Sequence, residues 1–486
     1  MDGVNSKSKF LKNSVVYTIG DLLPKVITFF MIPVLTGHMS KADYGIYNYL
    51  IVLIGFFSMA YVLGLDGALT RFYYEYKDKG KEKELISSIW IFLLIYDILI
   101  SIVLLFLGKG IISKLILKDI PFKPYFIFLV LICFFTTFSS LPLVLVRLRE
   151  QAFRFGLFNI ITTIVNVFFI FYFVSYKKQG AEGNLKANLI TYVIFSIVYF
   201  ILNFKDLKPV IAPKIIKGAL KYGIPLIPHA LGAWILMSSD RFFLNMYRTK
   251  DELGIYGLGY QFGMLVYFLI VAVNKAYVPF FFKTAEEEKE NAPKVFEEII
   301  RYYLVIIITI GFGLALFSKE IISIMVPNKS YHIAYTIVPL IALAYILNGF
   351  YFMSVNGIFY SKKTYILPVS TGISAVVDVI LNYLLIPKYG MYGAAIATAS
   401  AYLVLFIVTY YYSQKFYYIK WQWKNILLNG SLGIALFYVG KISISSLLLS
   451  ILFKIALFLV YIGALFLFKI LSYEKLKYYM KKILKR

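Results

Sequence analysis

The sequence predicts an all-α protein that crosses a membrane about fourteen times. The chain contains about fourteen mostly apolar segments, and ~20 apolar residues in a helix span the ~30 Å of a bilayer core. Of its 486 residues, 60% are hydrophobic and 15% are charged, with a mean hydropathy of +0.77. Barrel strands would alternate apolar and polar residues, whereas runs such as 102–107 and 455–468 are continuously apolar. The membrane segments are therefore helices.

The predicted helices are bounded by polar or charged stretches and cover, in chain order, residues 13–36, 44–66, 85–107, 124–146, 155–176, 187–204, 222–247, 255–282, 302–318, 335–358, 364–386, 393–413, 425–440 and 447–471. The first apolar stretch, 15–35, is too long for the core of a signal peptide and no small-residue cleavage site follows it. It is therefore interpreted as the first membrane helix. The single cysteine, Cys133, lies in an apolar run, so neither a disulfide nor a cysteine metal site is expected.

The basic residues predict the orientation. With the N-terminus inside, the cytoplasmic segments hold about 31 Lys and Arg residues and the outside segments about 14. Both termini are therefore expected in the cytoplasm. The net charge of +25 is explained by this asymmetry and by attraction to anionic lipids, so no nucleic-acid partner is predicted. Phosphate-loop and complete dinucleotide motifs are absent, and no cofactor or metal is expected.

Two motifs recur at nearly the same offset. The segment 43–47, Asp-Tyr-Gly-Ile-Tyr, corresponds to 252–256, Glu-Leu-Gly-Ile-Tyr, and the glycines at 180 and 183 correspond to those at 390 and 393. Six helices separate the copies, so both halves have the same orientation, as in a parallel repeat. We predict an N-terminal lobe of six helices at 1–204, a cytoplasmic linker at 205–221 and a second lobe at 222–413. Residues 414–486 then provide two additional helices and a basic tail.

The same segments resemble Wzx-type polysaccharide flippases. The resemblance lies in the opening stretch 12–45, in Ser-Asp-Arg-Phe-Phe-Leu at 239–244 followed by Leu-Gly-Ile-Tyr at 253–256, and in Tyr-Gly at 389–390 with Gly-Ala-Ala-Ile-Ala-Thr at 393–398. It covers essentially the whole chain. These proteins belong to the multidrug/oligosaccharidyl-lipid/polysaccharide exporter superfamily. The resemblance implies a V-shaped, MATE-like fold of two lobes, alternating access, and transport of an oligosaccharide linked to polyprenyl pyrophosphate.

Charged residues inside membrane segments are costly and usually line a cavity. We predict that Lys25, Arg241 and Lys275 bind the anionic pyrophosphate, because Arg offers paired donors and Lys a point charge. The alternative is ion pairing of Lys25 with Asp21, and of Arg241 with Asp240 or a lipid phosphate. The acidic residues Asp21, Asp97, Asp240 and Asp378 are candidates for ion coupling, and neutral, hydrogen-bonded packing is the alternative for Asp97 and Asp378.

The predicted function is therefore a flippase that moves a lipid-linked oligosaccharide from the inner to the outer leaflet of a bacterial cytoplasmic membrane. Its partners would be that substrate, membrane lipids and proteins of polysaccharide polymerisation and assembly, as in O-antigen, lipopolysaccharide or capsule production. A cation-coupled exporter of drugs or other amphipathic molecules on the same fold is the second hypothesis. A membrane glycosyltransferase, polymerase or ligase is the third, but it would need a sizeable outside loop. We therefore expect no enzymatic activity.

Overall fold

The computed structural model describes residues 2–442 and 444–471, with side chains from residue 16. The described residues form helices and no strands. The α-helices are α1 Asp2–Phe30, α2 Ile32–His38, α3 Lys41–Val62, α4 Leu65–Asp78, α5 Glu82–Leu107, α6 Ile127–Leu148, α7 Ala152–Ile170, α8 Gly180–Asn203, α9 Pro213–Gly223, α10 Ile227–Tyr247, α11 Lys250–Gly263, α12 Leu265–Glu287, α13 Ala292–Leu316, α14 Ser318–Met325, α15 Val338–Tyr360, α16 Ile366–Tyr389, α17 Met391–Phe416, α18 Trp423–Val439 and α19 Leu447–Leu467. The predicted basic tail from 472 onward lies outside the described residues.

Twelve helical stretches in the described part of the chain are long and apolar enough to cross a membrane. This confirms an all-α, multi-pass membrane protein. The other two predicted spans are also helices, but α10 carries Asp240 and Arg241 and α18 has only 17 residues. A bilayer needs roughly 17–25 residues, so the count of fourteen spans stays a prediction.

Several connections contain helices that hydropathy alone does not predict. Helix α4 follows α3 directly, and α9 begins in the predicted linker and ends two residues beyond it. Both contribute to one apolar cluster with α5 and α6, in which Leu69, Leu93 and Ile215 are buried. Short amphipathic helices of this kind cover the ends of longer helices, so the linker is packed structure in this protein.

The first predicted span is broken at Met31. Helix α1 ends at Phe30, and α2 begins at Ile32 with Pro33 in its first turn. Proline is tolerated at that position because the N–H groups of the first turn have no partner within the helix. The third span is longer than predicted, because a π-helical segment, Gly108–Leu117, continues α5.

The chain divides into two compact units: Met1–Gly257 with Val326–Asn328, and Leu258–Met325 with Lys329–Arg486. In the first unit α1 packs on α7, and α6 packs on α8 and α3. In the second unit α17 packs on α15 and α16, and α18 packs on α13. Phe458 and Tyr461 of α19 contact Phe312 of α13. The two predicted lobes, which are defined by the sequence repeat, remain a prediction.

Candidate substrate and ion sites in the membrane helices

Asp240 and Arg241 form a buried ion pair on α10. Arg241 Nη1 donates to Asp240 Oδ1 at 3.1 Å and to the Met237 carbonyl at 2.8 Å, and the backbone N–H of Arg241 donates to the same Oδ1 at 2.7 Å. The two side chains are only 9% and 3% exposed. The sequence left open whether Arg241 binds substrate or pairs with Asp240. The structure contains the pair with Asp240.

Tyr256 on α11 completes this cluster. Its hydroxyl donates to Asp240 Oδ2, and its ring lies 5.8 Å from the Arg241 guanidinium carbon. A buried charge pair is tolerated only when hydrogen bonds satisfy its remaining polar atoms. Tyr256 supplies one of these hydrogen bonds, to Asp240 Oδ2. Tyr256 was not a predicted site residue, although it belongs to the Leu-Gly-Ile-Tyr motif at 253–256.

Lys25 follows a proline-containing turn of α1. Pro24 has no N–H to donate to the Gly20 carbonyl, as a helix would require, and Asn159 of α7 donates to that carbonyl at 3.5 Å instead. Gly20 also lies against Gly156 of α7, where a Cβ on Gly20 would come 2.7 Å from the Gly156 Cα. The side chain of Lys25 is exposed and that of Asp21 is half-buried.

Lys275, the third predicted cation, belongs to the second unit. It lies on α12, which also contains Pro279, and its side chain is exposed. The proposed pyrophosphate site of Lys25, Arg241 and Lys275 thus remains a prediction. What the structure establishes is that Arg241 is buried and held in an ion pair with Asp240.

Asp97 is fully buried on α5. Among the described residues, neither of its carboxyl oxygens has a hydrogen-bond partner. Tyr61, whose hydroxyl hydrogen-bonds to Ser101 Oγ at 2.8 Å, and Cys133 lie within electrostatic range of it. An unpartnered charged carboxylate in such a place would be strongly destabilising, so a bound proton or cation would relieve the cost.

Asp378 has a different environment on α16 in the second unit. It is 1% exposed and its Oδ2 accepts a hydrogen bond from Asn382 at 3.1 Å. The two residues are one helical turn apart, so they share a helix face. This amide contact agrees with the alternative of a hydrogen-bonded packing carboxyl and leaves the ion-coupling prediction untested.

Glu320 and Lys454 form a second buried ion pair, which the sequence did not predict. Lys454 of α19 donates to Glu320 Oε2 of α14 at 2.7 Å, and both side chains are less than 8% exposed. The signal available in the sequence was Lys454, the single charged residue within Leu447–Leu467. Its partner is 134 residues away in a segment predicted as a connection, so no local pattern identifies the pair.

The chain is similar in sequence to known families and proteins. The family described as polysaccharide biosynthesis protein matches residues 10–285, and the MatE family matches residues 225–384. The putative protein 1 of the Lsg locus of Haemophilus influenzae is 23% identical over 82% of this chain and 98% of its own length. The putative O-antigen transporter of Shigella flexneri is 21% identical over 80% of this chain and 93% of its own length.

The fold is also similar to solved structures. The lipid II flippase MurJ in an inward closed conformation aligns with a TM-score of 0.75 at 16% identity, covering 94% of this chain and all of that one. At this identity the likeness describes the arrangement of helices. It agrees with the MATE-like, all-helical fold that the sequence predicts.

Proposed function

Because the chain belongs to the polysaccharide biosynthesis protein family, we propose that it translocates an oligosaccharide linked to polyprenyl pyrophosphate across a bacterial cytoplasmic membrane. The family match over residues 10–285 carries this proposal. The direction is from the inner to the outer leaflet, by alternating access, in the synthesis of a surface polysaccharide such as O-antigen or capsule. The similarity to the putative O-antigen transporter and the MurJ-like fold support a flippase, which is a transporter rather than an enzyme.

The charged residues of the membrane helices suit an anionic substrate. A pyrophosphate with its sugars cannot enter hydrocarbon without replacement of its hydration, because even one charge at mid-bilayer costs about 2.5–3.5 kcal/mol on insertion scales. We assign Lys25, Arg241 and Lys275 to that replacement. Lys25 and Lys275 are exposed on their helices, whereas Arg241 must act while it is hydrogen-bonded to Asp240.

Net export also needs a source of free energy, since a site with equal affinity on both faces only equilibrates its substrate. Moving one charge through 100 mV is worth about 2.3 kcal/mol. We propose that transport of the anion is sensitive to membrane potential. Asp21, Asp97, Asp240 and Asp378 are the candidate residues for an added coupling ion, with Asp97 first because its oxygens have no described hydrogen-bond partner.

The test uses purified protein in liposomes with a fluorescent, polyprenyl-pyrophosphate-linked oligosaccharide on one leaflet. Transport should proceed without ATP, and Lys25→Ala should abolish it at unchanged insertion. Lys25→Arg should retain part of the rate, since the charge is kept. Full activity of Lys25→Ala would remove Lys25 from the mechanism, and no transport by the wild-type protein would contradict the flippase proposal.

A cation-coupled exporter of amphipathic molecules is the second candidate, favoured by the MatE match over residues 225–384. An organic cation would need an acidic cavity, whereas Lys25 and Lys275 are exposed cations. Transport of a lipophilic cation by the same liposomes, with no movement of the lipid-linked sugar, would select this candidate.

A further inference from the structure

A pocket of about 610 Å³ lies within the second unit, and none of the membrane residues assigned above lines it. It lies where α13 and α18 end and where α15, α17 and α19 begin. These five termini meet at the pocket and therefore lie on one side of the helices, as the predicted fourteen-span topology requires. In the predicted orientation, with both chain termini in the cytoplasm, that face is the outer one.

The floor of the pocket is the buried pair of Glu320 and Lys454. Ser450 adds a hydrogen bond to Glu320 Oε1 at 2.6 Å, and Lys454 donates to Oε2 at 2.7 Å. Burial alone raises the pKa of Glu320, but the hydrogen bonds from Lys454 and Ser450 outweigh it and hold that pKa below its ordinary value. The floor is therefore an ion pair with no net charge, in which each carboxylate oxygen of Glu320 accepts a hydrogen bond.

The rim carries two further ammonium groups. Lys319 and Lys441 line the pocket and are exposed, and within the described part of the chain neither forms a salt bridge with a carboxylate. Lys441 Nζ lies 5.0 Å and 4.9 Å from the ring centroids of Phe437 and Tyr438. Because the floor is neutral, these two lysines make the pocket electropositive, and such a concave surface concentrates anions.

The remaining wall combines aromatic rings with hydroxyl groups. Tyr335, Tyr392 and Tyr438 line the pocket, and the hydroxyl of Tyr392 hydrogen-bonds to Thr336 Oγ1 at 2.9 Å. Tyrosine offers both an apolar ring face and a polar end. A sugar needs both surfaces, since its C–H face is apolar and its edge carries hydroxyl groups. An inorganic phosphate would leave most of the volume empty.

We propose that this pocket binds an acidic glycan, a short sugar chain with carboxylate or phosphate substituents, at the outer face of the protein. Lys319 and Lys441 bind the anionic groups, and the tyrosines contact the sugar rings. The inference rests on the proposed function and deepens it, because it names the chemical class of the oligosaccharide. The glycan reaches the pocket either on its lipid carrier after translocation or as a free chain.

The experiment measures binding of trigalacturonate to the full chain in nanodiscs of phosphatidylcholine, with maltotriose as a neutral trimer. Trigalacturonate should bind at least tenfold more tightly, and added salt should weaken it. The double variant Lys319→Gln/Lys441→Gln should lose at least tenfold in affinity. Lys362→Gln/Lys363→Gln is the matched control, since these two exposed lysines lie in the connection between α15 and α16, outside the pocket.

Equal binding of the two trimers, or unchanged trigalacturonate binding in the Lys319/Lys441 variant, would overturn the proposal. Displacement of trigalacturonate by phosphatidylglycerol in the nanodisc would also overturn it, because the pocket would then hold a lipid headgroup. Stronger competition by an acidic lipid-linked oligosaccharide than by the free trimer upholds the proposal with the transported molecule as source. Equal competition by the lipid-linked oligosaccharide and the free trimer upholds the proposal with a free sugar chain as the source.

The binding result stays separate from the flippase proposal. Wild-type protein that binds trigalacturonate but moves no lipid-linked oligosaccharide in liposomes would contradict the flippase function and leave the pocket assigned. Protein that transports a lipid-linked oligosaccharide but binds neither trimer would overturn the pocket and leave the flippase function intact.

Discussion

Gly45 of α3 and Gly254 of α11 pack against each other through their backbones. A Cβ on Gly45 would overlap the Lys250 carbonyl oxygen and lie 2.9 Å from the Gly254 nitrogen. A Cβ on Gly254 would overlap the Lys41 carbonyl oxygen and lie 3.0 Å from the Gly45 nitrogen. The contact is reciprocal, as in an isologous interface, and its partners are related by the 209-residue offset of the sequence. The pseudo-two-fold repeat of the complete halves remains a prediction.

The first prediction concerns this contact. Gly45→Ala and Gly254→Ala should each force α3 and α11 apart, because a backbone carbonyl cannot move aside as a flexible side chain can. Overpacking of this kind costs about 1–3 kcal/mol. We expect a lower temperature of heat-induced aggregation in detergent and reduced surface polysaccharide. Gly372→Ala on α16 is the control, because its Cβ would meet nothing within 4 Å, and equal behaviour of all three variants would contradict the prediction.

A second prediction separates the structural and transport roles of Arg241. Asp240→Asn alone should destabilise the protein by about 3–5 kcal/mol, since it leaves a buried guanidinium without its counter-ion. Asp240→Asn/Arg241→Gln should recover thermal stability in detergent but not transport. Recovery of both by the double variant would assign Arg241 to folding only. Tyr256→Phe should cost less, about 1.5–3 kcal/mol for one hydrogen bond to a charged group.

Asp97 provides a third prediction. Asp97→Asn keeps the shape of the side chain and replaces its unpartnered carboxyl with a neutral amide, so expression and elution profile should stay close to wild type. If Asp97 binds the coupling proton, transport in liposomes should lose its response to an imposed proton gradient. Ser101→Ala, beside the Tyr61 hydroxyl, is the control. A proton response that persists in Asp97→Asn would exclude Asp97 from coupling.

The pair of Glu320 and Lys454 gives a fourth prediction. Glu320→Gln should lower thermal stability at pH 7, whereas Glu320→Leu/Lys454→Met should be close to neutral, because a buried pair replaced as a whole leaves no uncompensated charge. Since the pKa of Glu320 is lowered in the folded protein, its contribution is present above the unfolded value of about 4.3 and is lost as pH falls below it. The unfolding temperatures of the wild-type protein and of Glu320→Gln should therefore converge at low pH. A constant difference down to pH 3 would contradict this.

The sequence predicts the membrane spans better than it predicts the contacts of the site residues. The spans follow from local hydropathy, and the one broken at Met31 could have been predicted from Pro33. The linker helix α9 was not predicted because an 11-residue amphipathic helix with three lysines has no long apolar run. The pairing of Arg241 with Asp240 was foreseen as an alternative because the two are neighbours in sequence, whereas Tyr256 depends on how α11 lies against α10.

Local sequence composition was enough to predict the class of the protein, the position of most helices and the residues whose burial would be costly. The reason is that the bilayer acts on each segment separately, requiring ~20 apolar residues and internal backbone hydrogen bonds. Which ionisable side chains have a partner became clear from the three-dimensional packing. Lys454 finds Glu320 across 134 residues, while Asp97 finds no described partner. Such outcomes depend on the packing of helices distant in sequence, and hydropathy carries no information about that packing.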